Sequence, residues 1–146
     1  GIMMIKQVSV FLENKSGRLA EVSRILGKNN IDISALSIAD TAEYGILRLI
    51  VNKPEAAVEI LKNDGFSVRT TDVIAISVND RPGGLAEVLD RLEMDQIGIE
   101  YLYAFLGKND LGKAIVILRV EDNDKAMEIL KNAGVDITPT EEIYRL

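Results

Sequence analysis

The 146-residue chain contains no histidine, no cysteine and no tryptophan. These absences exclude a cysteine nucleophile, a histidine general base, disulfide bonds and zinc sites built from thiolates and imidazoles. They remove most catalytic chemistry, and we expect a chain with no catalytic residue, no metal site and no cofactor. The sequence also lacks an apolar run of the roughly 20 residues that cross a bilayer, and it shows no export signal. Because a cysteine-free chain suits a reducing compartment, we expect a cytoplasmic protein. Because the chain has no membrane-spanning run, we expect no membrane partner.

The chain also has fewer basic residues than acidic ones, 17 against 23, and its net charge is −6. Binding to a nucleic-acid backbone depends on clustered cations, so nucleic acid is not an expected partner. Hydrophobic residues make up 47% of the chain, which is ample for a folded core. The length is compatible with one ordinary domain or with two small ones.

An internal repeat favours two domains. The segment GRLAEV at residues 17–22 returns as GGLAEV at 83–88, an offset of 66, and EILKN at 59–63 returns at 128–132, an offset of 69. The second copy therefore carries a three-residue insertion, which we place around residues 107–112. We predict two domains, 1–71 and 72–146, with Thr71 and Asp72 as the short connection between them.

Each copy has the hydrophobic pattern of a βαββαβ unit. In the first copy we predict strands at 5–12, 31–39, 44–51 and 66–71, a helix carrying Leu19, Val22 and Leu26, and a helix from Pro54 to a stop at Gly65. In the second we predict strands at 73–78, 97–105, 113–120 and 135–140, with helices at 84–95 and 123–132. This order is typical of α+β, ferredoxin-like units, here two antiparallel sheets packed side by side with helices on one face.

The loops that lead into the first helix of each copy are the candidate functional segments. Residues 13–19 and 79–85 each place a short polar side chain and glycine before a helix. A helix N-terminus leaves about four backbone N–H groups unpaired, so a small carboxylate can bind there. The alternative is purely structural, with Ser16 and Asp80 as caps or turn residues and Pro82 in the first helical turn.

The loop sequence resembles a known regulatory module. The segment DRPGGL at 80–85, followed by IGIEYL at 97–102, resembles the ACT domain, which commonly binds amino acids. The first copy is similar, with NKSGRL at 14–19 and IDISAL at 31–36, but Ser16 stands where the family usually has proline. The resemblance covers essentially the whole chain, and the change at Ser16 argues against equal ligand affinity in the two copies.

The resemblance implies a non-catalytic sensor that binds a free amino acid between two ACT units and regulates an unidentified protein. The site would join the first loop of one unit to the start of the second strand of its neighbour. Asn14 and Asp80 would hold the polar head of the ligand, and the strand starts would supply main-chain contacts. The implied ligand-binding residues are Asn14, Ser16, Gly17, Arg18, Leu19, Asp32 and Ile33 in the first copy and Asp80, Pro82, Gly83, Gly84, Leu85, Gly98 and Ile99 in the second.

Three other functions compete with this interpretation. An acylphosphatase-like hydrolase would use Arg18 or Arg81 to hold an anion and Asn14 to orient water. An RNA-binding sheet would use aromatic side chains to stack bases, but the acidic composition opposes it. A purely structural scaffold would bind no small ligand.

A row of aromatic residues distinguishes the second copy. Tyr101, Tyr103 and Phe105 recur at every second position where the first copy has the small residues Ala35, Ser37 and Ala39. Because helices already cover one sheet face, we predict that this row lies on the other face and joins two chains into a homodimer. The broken alternation between Ile99 and Leu102 predicts a β-bulge in this strand.

Overall fold

The structure is a computed structural model that describes residues 4–13, 15–40, 43–105 and 112–145. The chain divides into two compact units. The first unit comprises residues 6–71, and the second comprises the residues from 72 onward together with Met4 and Ile5. Each unit has its own hydrophobic core between its sheet and its helices.

The first unit has the strand order β2-β3-β1-β4, in which β3 runs antiparallel to both β1 and β2. Its core is formed by alternate residues of the strands, such as Val8, Val10 and Leu12, packed against apolar residues of the helices, such as Leu26 and Leu61. Its elements are β1 (Met4–Glu13), α1 (Lys15–Lys28), β2 (Ile33–Asp40), β3 (Tyr44–Val51), α2 (Pro54–Asn63) and the first part of β4 (Ser67–Asn79).

The second unit repeats this arrangement with the order β7-β4-β6-β5. After the remainder of β4 its elements are α3 (Gly84–Met94), β5 (Ile99–Ala104), β6 (Lys113–Val120), α4 (Asn123–Asn132), β7 (Asp136–Ile137) and α5 (Thr140–Arg145). In both units the order is fourth, first, third and second strand of the copy. The predicted α+β fold of two ferredoxin-like βαββαβ units is confirmed.

Four helices end in the same way, with one residue in the left-handed conformation. These residues are Asn30, Gly65, Gln96 and Gly134, with φ between 58° and 89°. After each of them the next N–H returns to a carbonyl in the last helical turn, as from Phe66 to Leu61 at 3.0 Å and from Val135 to Leu130 at 2.9 Å. This is the Schellman arrangement, which satisfies carbonyls that the helix leaves open. Gly65 therefore ends α2 as predicted.

Two predicted segments differ most from the structure. Thr71 and Asp72 do not form a connection between strands, because both lie inside the single strand β4. The predicted strand at 135–140 shrinks to the two residues of β7, and the helix α5 follows from Thr140. Pro139 explains the early end, since proline has no N–H for a strand ladder and suits the start of a helix. The buried side chain of Ile143 fixes α5 to the second unit.

The aromatic row of β5 lies on the predicted sheet face. Tyr101 and Tyr103 pair with Arg119 and Ile117, which alternate with the core residue Leu118, so the row lies on the face opposite the helices. The register shift between Ile99 and Tyr101 confirms the predicted bulge. Tyr103 and Phe105 are each only 8% exposed in the single chain, so these two side chains offer little surface to another subunit. The homodimer itself stays a prediction.

No helix in the part of the chain that the structure describes is both long and apolar enough to cross a membrane.

Candidate functional site

The loop between β4 and α3 is held in one conformation by its own backbone. The N–H of Asp80 donates to the carbonyl of Gly112 at 2.7 Å, which ties the loop to the start of β6. The N–H of Arg81 donates to the carbonyl of Asn79, and that of Gly84 donates to the carbonyl of Arg81, both at 2.9 Å. These bonds fix the direction in which the following helix begins.

Two glycines make this loop possible. Gly83 has a left-handed φ of 84° and is the N-cap residue of α3. Gly84 is buried, and a Cβ built on it would overlap the carbonyl oxygen of Asn79 and lie 2.9 Å from the carbonyl carbon. Gly83 is thus required for its backbone conformation and Gly84 for close packing between loop and helix. We predicted that glycine here lets a ligand approach the backbone. Only Gly83 has the space for this, since no heavy atom lies within 4 Å of its missing Cβ.

The N-terminus of α3 has no side-chain cap. Because the N-cap residue is Gly83, no side-chain oxygen accepts from the first helical turn, and the N–H groups of Leu85 and Ala86 have no partner among the described residues. These are the two donors that an N-cap side chain would satisfy. The capping interpretation is therefore wrong for Asp80, and Pro82 precedes the N-cap residue instead of occupying the first turn.

The side chain of Asp80 is exposed and makes no hydrogen bond or ion pair within the described ranges. Its neighbour Arg81 donates to Glu87 at 2.7 Å, with both side chains 56% exposed. The loop thus offers backbone donors and an uncommitted carboxylate within one turn of chain. A carboxylate ligand suits the donors, and an ammonium group suits Asp80.

The first copy forms a different helix start. Helix α1 begins at Lys15, so Ser16, Gly17 and Arg18 are already helical, whereas α3 begins only at Gly84, the counterpart of Arg18. Because a side chain at this position cannot fit the tight turn that Gly84 allows, the first copy lacks that turn. Ser16 is inside the helix and is not its N-cap residue, which corrects the capping interpretation here too. Asn14, the predicted counterpart of Asp80, lies outside the described residues.

Arg18 is committed to contacts within the first unit. Its guanidinium donates to both carboxylate oxygens of Glu21, at 3.0 and 3.2 Å, and lies 3.8 Å from the ring centroid of Phe66. Leu19 is partly buried against the core. Neither of these two predicted site residues has a side chain free for a ligand.

The hydrogen bonds at the start of the second strand also differ between the two copies. In the first copy the N–H of Asp32 donates to the side-chain oxygen of Asn52 at 2.9 Å. In the second copy the N–H of Gly98 has no partner among the described residues, while its carbonyl accepts from Glu121 at 3.1 Å. Ile33 and Ile99 pack partly against their cores. The Glu121 carboxylate nevertheless lies where a Cβ of residue 98 would be, so the N–H of Gly98 is unpaired among the described residues but a carboxylate covers the strand start beside it.

Within one unit the loop and the strand start do not meet. Glu13, which ends β1, pairs with Tyr44, whereas Ile33 pairs with Val51 at the far end of β3. The two candidate segments of one unit are thus at opposite ends of its sheet, as a site shared between two units requires. The structure brings together Asp80, Pro82, Gly83, Gly84 and Leu85, and it brings together Gly98 and Ile99 elsewhere in the unit.

Cavities accompany both candidate segments. One of about 380 Å³ lies at Asp32 in the first unit, and one of about 400 Å³ lies at Gly98 in the second. A further cavity of about 300 Å³ lies between β4, α3 and β7 in the second unit, where Lys113 donates to the side chain of Asn79 at 2.8 Å. Lys113 is not among the predicted site residues, and Asn79 is predicted only as part of the loop segment 79–85. The repeat offsets could have pointed to both residues, since they place Lys113 at the position of Tyr44 and Asn79 at that of Glu13, where the residue types differ between the copies.

A candidate metal site is not found among the described residues, where no group of three or more acidic side chains is arranged to hold an ion.

Comparison with protein-family models matches residues 3–146 to the ACT domain pair. The chain belongs to this family. The structure of a Bacteroides thetaiotaomicron protein is similar to this ACT domain pair at 45% identity, covering 99% of this chain and 98% of that one, with a TM-score of 0.91. A search among curated proteins finds no similar sequence.

Regulatory subunits of aspartate kinase share the fold of this ACT domain pair. The ligand-free subunit from Thermus thermophilus has a TM-score of 0.63 at 14% identity, with 91% of this chain and 95% of that one covered. The subunit from Thermus flavus has a TM-score of 0.57 at 14% identity, with 87% and 90% covered. At these identities the likeness concerns the fold alone.

Proposed function

We propose that this ACT domain pair is a non-catalytic regulatory protein that senses a free amino acid. The observation that carries the proposal is the uncapped start of α3 beside an uncommitted carboxylate. The N–H groups of Leu85 and Ala86 suit the α-carboxylate of the ligand, and Asp80 suits its α-ammonium group. A zwitterion satisfies both at once, which a simple anion or cation does not.

The proposed ligand site combines this loop with the start of the second strand of another ACT unit, as in the family. Gly98 supports this role because its N–H is unpaired among the described residues and its position is at the far end of the sheet from the loop of its own unit. The N–H of Gly98 and the adjacent Glu121 carboxylate can complete the coordination of an amino-acid head group.

We propose that the second copy supplies the stronger half-site. Its loop keeps the glycine turn, its helix start is uncapped, and its strand-start N–H makes no hydrogen bond within the described residues. In the first copy the turn is absent, Arg18 is engaged by Glu21, and the N–H of Asp32 is engaged by Asn52. Asn14 would be the remaining polar contact on that side.

The contacts of the loop arginines favour binding over the hydrolase alternative. A hydrolase of that kind needs an arginine free to hold an anion. Arg18 and Arg81 each pair with a glutamate, at 3.0 and 2.7 Å. These pairs leave backbone N–H groups as the better anion donors in the described part of the second loop.

Regulation follows if the ligand binds two states of the assembly with different affinity, because only differential affinity shifts a population. We propose a homodimer as that assembly and an unidentified protein as its target. Because Tyr103 and Phe105 are buried in the single chain, we place the proposed dimer contact on other residues.

A thermal-shift screen of the twenty common amino acids tests the proposed function. A ligand of the native state raises its stability by about 2.7 kcal/mol at a hundredfold excess over Kd. We expect one amino acid or a small group to raise the melting temperature, and Asp80→Ala to abolish this rise. Asp90→Ala is the matched control, since Asp90 is an exposed carboxylate on α3 without contacts among the described residues. A panel without a single hit, or equal loss in both variants, would refute the proposal.

A further inference from the structure

The first unit contains a cavity whose lining is unusual for its place in the repeat. We call it the Phe11 cavity, and its volume is about 330 Å³, within the range of small-ligand sites. It is lined by Phe11, Glu13, Arg18, Gly65 and Ser67. At the repeat offsets, four of these correspond to residues lining the cavity between β4, α3 and β7, namely Ser77, Asn79, Gly134 and Asp136. The fold thus forms the same cavity twice, with different chemistry.

Two aromatic rings lie at the surface beside the Phe11 cavity. Phe11 and Tyr44 are 39% and 38% exposed, and their ring centroids are 4.8 Å apart at an interplanar angle of 33°. Tyr44 pairs with Glu13 across the strands, and Phe11 lies two residues before Glu13 on the same sheet face. The rings and this carboxylate therefore form one group on the surface of the sheet.

The uncompensated charge of this group is negative. Glu13 is exposed and makes no hydrogen bond or ion pair within the described ranges. Arg18, the cation in the lining, is held by Glu21 at 3.0 Å and by the ring of Phe66. Aromatic faces attract cations within about 6 Å of the ring centroid, and recognition of organic ammonium ions commonly relies on such rings.

The second unit provides the contrast. There Asn79 stands at the position of Glu13 and Lys113 at that of Tyr44, and the ammonium group of Lys113 donates to Asn79 at 2.8 Å. This replaces a carboxylate and an aromatic ring with an amide and a cation. The lining there also contains Glu87, Arg91 and Asp136, so its carboxylates balance its cations, and it lacks both the aromatic rings and the uncompensated negative charge. The equivalent cavity therefore serves as an internal control.

We propose that the Phe11 cavity binds a small organic ammonium ion, with Phe11 and Tyr44 against its alkyl groups and Glu13 against its charge. The Phe11 cavity shares Arg18 with the residues implied for the amino-acid site, but the groups proposed to hold the ammonium ion are different ones. Phe11, Glu13 and Tyr44 are absent from that set of residues, so either proposal can fail without the other.

Choline and its uncharged carbon analogue 3,3-dimethylbutan-1-ol are suitable probes, followed by two-dimensional amide NMR of the full chain. We expect choline to shift the amides of Phe11, Glu13 and Tyr44 saturably, with a Kd on the order of 1–10 mM. The neutral analogue should bind at least about tenfold more weakly, because it lacks the charge that the rings and Glu13 attract.

Glu13→Gln should weaken choline binding by at least about tenfold while leaving the rest of the spectrum unchanged. Glu59→Gln, which removes an exposed carboxylate from α2 of the same unit, is the control and should bind as the parent does. Equal binding of choline and its neutral analogue would overturn the proposal, as would unchanged affinity in Glu13→Gln, shifts centred on Lys113, or no saturable shift.

Discussion

Replacing Gly84 by alanine tests whether the loop before α3 depends on close backbone packing. The added methyl group would overlap the carbonyl oxygen of Asn79 and lie 2.9 Å from its carbonyl carbon, and neither is the movable end of a side chain. Relief requires the helix start and the loop to separate. Overpacking of this kind costs about 1–3 kcal/mol of unfolding free energy, and we expect Gly84→Ala to fall in that range.

Urea denaturation followed by circular dichroism measures this cost, with Gly17→Ala as the matched control. Gly17 lies inside α1 with no atom near its missing Cβ, so alanine there should stabilise by about 0.5–1 kcal/mol through helix propensity. The two glycines should thus respond with opposite signs. If Gly84→Ala changes the unfolding free energy no more than Gly17→Ala does, the close approach is not a constraint and the reasoning fails. The variant should also lose amino-acid binding, because the loop donors move with the helix start.

Two further substitutions test other features of the fold. Gln96→Gly should stabilise the protein by about 0.5–1 kcal/mol, because Gln96 adopts a φ of 58° that costs a residue with a side chain about 1–2 kcal/mol; a loss of stability in urea denaturation would contradict this. Tyr103→Ala should destabilise the chain by about 3 kcal/mol, as for other buried aromatic residues, without changing the mass measured by light scattering. A halved mass at full stability would instead restore Tyr103 to a subunit contact.

Much of the fold was predictable because the repeat doubles every local signal. Hydrophobic alternation placed β3 and β6 to the residue, and Pro54 marked the start of α2. The limits of β4 were not predictable, since the polar pair at residues 71–72 is typical of a connection, yet it pairs within a continuous strand. Local sequence also could not show that Pro139 would end β7 after two residues, which depends on where α5 packs.

Less of the candidate site was predictable, because its properties depend on which groups are already engaged. The sequence identified the second loop, but it could not show that Asp80 leaves α3 uncapped or that Arg18 is held by Glu21. The burial of Tyr103 and Phe105 was likewise hidden, since period-two spacing reports which face a side chain lies on and not what covers that face.

A duplicated fold separates the residues that maintain the fold from those that are free to recognise ligands. Gly65 and Gly134 end equivalent helices with the same backbone conformation, so the fold keeps them alike. At the candidate sites the copies differ, because Arg18 of the first copy corresponds to Gly84 of the second, and Glu13 corresponds to Asn79. The change at Gly84 also alters how the helix begins, whereas the changes at Asn79 and Lys113 alter the chemistry of a cavity that both units form. Two copies of one unit therefore present unlike surfaces at equivalent positions, which agrees with the proposal of unequal sites.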